Sequence, residues 1–218
     1  KQYCKDNNIA IITTQAQDEV VPPFTTDASG WGNYVQLQRY IALYKYCQDN
    51  YNLSTNIILA GASMGGLVAG QILYNKPFPV TACFLAGPVP DLSYIFANGG
   101  SSRFNAIRNS YGMASDGTDD ANLETFIQGY NWYDLGLVEV AGTKYKFGFP
   151  KLYIEVGNGD GTFSVDFGGT TKYMEIVNAI ESAGGFVHYN EISGVSHAAG
   201  ECFDKFISDG VFEKELGI

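Results

Sequence analysis

Three side chains that could act together chemically occur in the order Ser63, Asp160, His197. Ser63 sits in Gly61-Ala62-Ser63-Met64-Gly65, the only G-x-S-x-G stretch in the chain. That pattern makes a tight strand-to-helix turn, the nucleophile elbow, which lifts a serine hydroxyl clear of a sheet. Side chains at its two glycine positions are expected to collide with the backbone. The helix that follows aims its N-terminus at the reacting atom and favours developing negative charge there. The backbone N–H of Met64 is then placed to donate to an oxyanion. A serine hydroxyl is barely ionised at neutral pH, so it needs a base. The chain has two histidines. His188 falls within an apolar strand pattern and reads as structural. His197 lies in Gly194-Val195-Ser196-His197-Ala198-Ala199-Gly200, a small-residue loop after that strand, and is the better base. The base needs an orienting carboxylate. Asp160, in Gly157-Asn158-Gly159-Asp160-Gly161, supplies one just past another strand, with Asp166 as runner-up. A turn aspartate beside glycine or a loop histidine is ordinary when met alone. Their agreement in type, order and position at strand ends points to nucleophilic acyl chemistry.

Strands and helices must alternate to bring these residues together. Ile9–Thr14 is a short β-branched run, read as a buried strand. Leu37, Tyr40, Ile41, Tyr44, Cys47 and Tyr51 recur at helical spacing. Asn56–Ala60 is a second strand and leads into the elbow. Leu67–Leu73 is helical, Val80–Ala86 is a third strand, and Leu152–Val156 is a fourth. A helix carrying Tyr173, Ile176, Val177, Ile180 and Ala183 on one face ends at Gly184-Gly185. Phe186–Ile192 is the fifth strand, and a closing helix holds Cys202, Phe203 and Phe206. This alternation predicts an α/β fold in one domain, 1–218, with a mostly parallel sheet covered on both faces. Residues 91–149 break the rhythm and read as a lid-like insertion over the sheet. Its aromatics suit either an apolar or sugar-stacking surface or core packing. Trp31, between two glycines, suits a pocket wall or a loop anchor.

At 218 residues, with 45% hydrophobic residues, the chain can bury one large core. The formal charge of −10 argues against nucleic acid or an anionic membrane as partner. No apolar run is long enough to span a bilayer. The low charged fraction, 17%, with abundant Tyr, Gly and Asn favours an extracellular or surface setting. None of Cys4, Cys47, Cys83 and Cys202 forms a CxxC pair, so zinc is not expected. Cys83 reads as a buried thiol, and the other three could include one disulfide. The sequon Asn52-Leu53-Ser54 reads as a chance triplet. Asp116-Gly117-Thr118-Asp119-Asp120 lacks calcium-loop spacing and reads as a solvated loop.

"IILAGASMGG", "KLYIEVGNGDGTF" and "NEISGVSHAAGECF" resemble the elbow, acid loop and histidine loop of α/β-hydrolases of the serine esterase and peptidase-like esterase type. The resemblance covers most of the chain outside 91–149. It implies a catalytic triad of Ser63, Asp160 and His197 and carboxylesterase-type cleavage through an acyl-enzyme, without metal or organic cofactor. The substrate would be a small-molecule or polymer-linked ester. The family's second oxyanion donor comes from a loop after an earlier strand, often HGG-like, and no such motif is present. The run Ile9–Thr14 resembles the strand just before the elbow unit, so the fold's first strands are expected to be missing. Lys1-Gln2-Tyr3-Cys4 reads as the tail of a helix already under way. An N-terminal segment or partner chain completing the sheet is therefore expected, with a contracted sheet as the other outcome. The alternative to an enzyme is a non-catalytic hydrolase-fold module that binds or scaffolds within a larger assembly.

Overall fold

The computed structural model of the protein describes residues 2–13, 30–130, 150–159, 161–182, 184–197 and 199–217. The described chain contains a four-stranded parallel sheet in the order β1 (Ile58–Ala62), β2 (Ala82–Ala86), β3 (Lys151–Gly157), β4 (Val187–Ile192). Helices α1 (Gln2–Asp6) and α2 (Tyr34–Asn50) precede it. The intervening helices are α3 (Gly65–Asn75), α4 (Leu92–Asn98), α5 (Gly100–Tyr111), α6 (Leu123–Ile127) and α7 (Gly169–Ser182). Two more, α8 (Ala199–Ser208) and α9 (Val211–Leu216), close the chain.

Strand periodicity divides the core. Cys83 and Leu85 of β2 and Leu152, Ile154 and Val156 of β3 join Leu67 and Leu73 of α3 and Tyr173, Ile176 and Ile180 of α7 in the largest cluster. The alternate residues Ala82, Phe84 and Tyr153 pack with Phe206 of α8. Phe84 stacks on Tyr153 at 4.8 Å and on Phe212 of α9 at 4.3 Å. Both faces are therefore covered, as a parallel sheet requires. Helix boundaries have local causes. The Asn33 side chain caps α2 by accepting the Gln36 N–H at 3.1 Å. Asp91 accepts from the N–H groups of Ser93 and Tyr94 at the start of α4. After α7, the N–H groups of Gly184 and Gly185 reach back to the Glu181 and Ile180 carbonyls.

Helices α4, α5 and α6 fall in the span read as a lid. Their residues Leu92, Ile95, Ile107, Tyr111, Leu123 and Ile127 are buried in the same cluster as the sheet. Residues 131–149, including Trp132 and Tyr133, lie outside the described residues. All four cysteines are free thiols, and burial pushes Cys83 well up.

One element differs from expectation. Residues 9–13 form no strand, and Ile11 and Ile12 are 64% and 42% exposed. Thr14 lies outside the described residues. A buried strand needs a neighbouring ladder and a layer over its side chains, and apolar composition supplies neither. Among the described residues, no strand pairs with the outer edge of β1. The Ile9–Thr13 run and the elbow strand thus show neither direct pairing nor an inserted third strand.

Candidate active site

Four loops leave the C-terminal ends of the four parallel strands, where open α/β sheets gather their functional groups. The first is the elbow. Ser63 is half-buried and adopts φ +50°. That region costs an L-residue roughly 1–2 kcal/mol. Non-glycine residues with positive φ among those described are Asn8, Trp31, Ser63 and Lys76. Asn8 and Lys76 follow helix C-termini, where such a conformation is a normal stop signal. Ser63 has no such role. Its conformation is held by backbone bonds alone: its N–H donates to the Ala86 carbonyl at 3.0 Å. Its own carbonyl accepts from Gly66 and Val89, both at 3.0 Å. Strain held in this way by its surroundings is what a functional turn looks like.

The glycines around it have unequal roles. A Cβ on Gly61 would lie 2.7 Å from the Gly65 carbonyl oxygen, so that position must stay bare. A Cβ on Gly65 would meet nothing within 4 Å, which corrects the expectation that both pattern glycines are sterically required. The second crowded position is Gly66, where a Cβ would come within 2.3 Å of the Pro88 Cβ. The helix leans its next residue, not Gly65, on the turn after β2. Met64 precedes α3, and its N–H has no acceptor among the described residues.

The turn after β2 connects the elbow to His197. Ala86 accepts the Ser63 N–H, and the next residue, Gly87, has φ +48°. A Cβ there would lie 3.0 Å from both Cε1 and Nδ1 of His197. The imidazole also meets the Phe167 ring in a T-shaped contact, with ring centroids 5.1 Å apart and planes at 81°. The half-buried His197 ring is thus lodged against the turn after β2, next to the Ala86 carbonyl that accepts the Ser63 N–H. Tyr173 donates its hydroxyl to the Pro88 carbonyl at 2.6 Å, fixing that turn from below.

The loops after β3 and β4 pack backbone on backbone. A Cβ on Gly157 would lie 2.1 Å from the Ser196 carbonyl oxygen, and one on Gly159 would lie 2.6 Å from the Gly194 carbonyl carbon. The Gly159 N–H donates to the Val195 carbonyl at 2.8 Å. Asp160 itself lies outside the described residues. Asp166, the runner-up acid, pairs with Arg103. His188 lies on β4 with its Nε2 3.7 Å from Glu155 Oε1. Glu155 is almost fully buried on β3; its Oε2 accepts from Asn190 at 2.6 Å, and Oε1 has no hydrogen bond. Burial pushes its carboxyl above the usual range, despite the Asn190 bond. Trp31 is buried in the main cluster and its carbonyl accepts the Tyr111 hydroxyl, so it anchors its loop. Asp120 holds Arg108, and Asp116 caps its own turn through Thr118, which accounts for the acidic loop.

Sequence reasoning passed over Gly87 and Gly159. Gly87 was legible only as part of a Gly-Pro strand stop, and Gly159 only as turn composition. Their role is close approach between loops distant in sequence, which local pattern does not encode.

No protein-family model matches the chain, and no curated protein matches its sequence. Solved structures do match its shape. An S-formylglutathione hydrolase from Agrobacterium tumefaciens superposes with a TM-score of 0.64 at 15% identity, over 93% of this chain and 70% of that one. An S-formylglutathione hydrolase from Staphylococcus aureus gives 0.57 at 16% identity, over 84% and 65%. An esterase from Pyrococcus furiosus gives 0.54 at 19%, over 84% and 62%. The chain has the α/β-hydrolase fold. It spans about two thirds of the length of the structures it resembles.

Proposed function

We propose that the protein is a serine hydrolase that cleaves carboxylic esters. Ser63 is the nucleophile, His197 the general base, Asp160 the acid that orients the imidazole, and the Met64 N–H an oxyanion donor. The observation that carries this reading is the strained Ser63 turn, with the His197 ring seated one residue beyond the carbonyl that holds Ser63. Ser63 Oγ adds to the ester carbonyl carbon while its proton passes to His197. The carbonyl electron pair moves onto oxygen, opposite the Met64 N–H. Collapse expels the alcohol, which takes the proton from His197 and leaves an acyl-Ser63 ester. Water then adds by the same route, and the carboxylic acid departs with Ser63 reprotonated. The names of the matched hydrolases and esterase agree with this chemistry.

Among the described residues no strand pairs with the outer edge of β1, and Ile11 and Ile12 are exposed; both support a second part of the proposal. A further strand pairs with β1 there and brings the second oxyanion donor. The non-catalytic module is the competing reading, favoured by the same lack of a pairing strand among the described residues. Turnover of p-nitrophenyl acetate and butyrate by the purified chain separates the two. The proposal predicts hydrolysis that is lost in His197→Ala and declines on acidification, because an imidazolium cannot accept the serine proton. Absence of turnover both alone and with a supplied N-terminal strand would leave the module reading in its place.

A further inference from the structure

We propose that Asn158 and Glu191 are positioning residues that clamp the turn leading into Asp160 against the loop carrying His197. The proposal rests on the roles given above to Ser63, Asp160 and His197. Glu191 lies on β4, and its two carboxylate oxygens have separate partners. Oε1 accepts from the hydroxyls of Thr170 on α7 and Tyr189 on β4, both at 2.7 Å. Oε2 accepts from Asn158 Nδ2 at 3.2 Å. The other end of the same Asn158 amide, Oδ1, accepts the Gly194 N–H at 3.3 Å, three residues before His197. One side-chain amide therefore bridges the acid turn, the end of β4 and the histidine loop.

Neither residue belongs to the apolar core, and Asn158 is exposed. Packing does not explain the arrangement. The backbone already ties the two loops through Asn158 N–H to the Ile192 carbonyl and Gly159 N–H to the Val195 carbonyl. Those bonds lie before Asp160 and before His197. The clamp adds a lateral constraint from α7, through Thr170 and Glu191, to the same turn. Burial raises the Glu191 carboxyl, but its hydrogen bonds outweigh this and hold it below the usual range, so it acts as a charged acceptor. A general base is effective only when held close to its productive position, which is what such a constraint supplies.

The two distinct oxygens of Glu191 give the test. Asn158→Asp keeps the side-chain shape and the acceptor for Gly194, but sets a carboxylate against a carboxylate. Combining it with Glu191→Gln reverses donor and acceptor. The introduced glutamine still accepts from Thr170 and Tyr189 through its amide oxygen, and its amide nitrogen donates to the introduced aspartate. With p-nitrophenyl butyrate, Asn158→Asp should lower kcat about tenfold or more while KM stays within about twofold. The double variant should recover to within about threefold of wild type. A kcat for Asn158→Asp equal to wild type would overturn the clamp. So would a double variant as slow as the single one at equal thermal stability. Labelling of Ser63 by a fluorophosphonate in the wild-type chain tests the underlying roles separately. A chain that labels there but ignores the exchange refutes the clamp alone.

Discussion

The two halves of the candidate site are held in place by different means. The Ser63 turn is fixed by backbone: a strained φ, three main-chain hydrogen bonds, and glycines at 61 and 66 that leave room for them. The rim formed by the loops after β3 and β4 adds side-chain bonds from Asn158, Glu191, Thr170 and Tyr189 to its backbone contacts. A backbone-held turn tolerates almost any polar change but no added volume at its crowded positions, Gly61 and Gly66. A rim braced by side chains as well tolerates volume on its open side, away from Gly157 and Gly159, but not the loss of a donor. The first arrangement suits an atom whose position must not vary. The second suits a base whose ring must be held yet exchange protons with water and leaving group.

This contrast can be broken by adding single methyl groups. Of the two pattern glycines Gly61→Ala should be the more damaging, costing about 1–3 kcal/mol, because its Cβ would meet the Gly65 carbonyl and neither element can yield cheaply. Gly65→Ala, in open space at the first turn of α3, should be neutral or slightly stabilising. Denaturant melts of the pair check this, and equal losses would remove the argument for backbone control. Gly87→Ala comes next. Its left-handed φ costs about 1–2 kcal/mol, and the methyl would displace the His197 ring, so kcat should fall further than stability alone explains. Unchanged ester turnover would show that the ring position near Gly87 is irrelevant.

The smallest effect is expected on the α8 face, away from both halves. Glu155 is buried with its pKa raised by burial, so the folded state binds the proton more tightly than the unfolded state. Its ionisation therefore removes stability as pH rises above the usual carboxyl range through the raised value. Glu155→Gln should raise Tm at neutral pH, by the equivalent of about 1 kcal/mol, with the gain vanishing in acid. A gain that instead grows in acid would reverse the assigned direction.

Much of this architecture can be read from residue order. The apolar runs before Ser63, Gly87, Asn158 and Ser193 each became a parallel strand, because each lies between helices that can cover it. Ile9–Thr13 has the same composition and did not, because pairing depends on a neighbour that no local pattern specifies. Ser63 and His197 were legible as a motif and a loop position. Gly87, against which the His197 ring packs, was not, since its importance lies in a contact with a residue far along the chain. The Asn158–Glu191 bridge was hidden for the same reason. Each residue looks like ordinary turn or strand composition until β3 and β4 are set side by side.

The most direct test of the central claim is to treat the chain with a fluorophosphonate and locate the adduct by peptide mass spectrometry. A single modified residue is expected, Ser63, with labelling abolished in Ser63→Ala and slowed in His197→Ala. Modification of another serine, or labelling that survives Ser63→Ala unchanged, would contradict it.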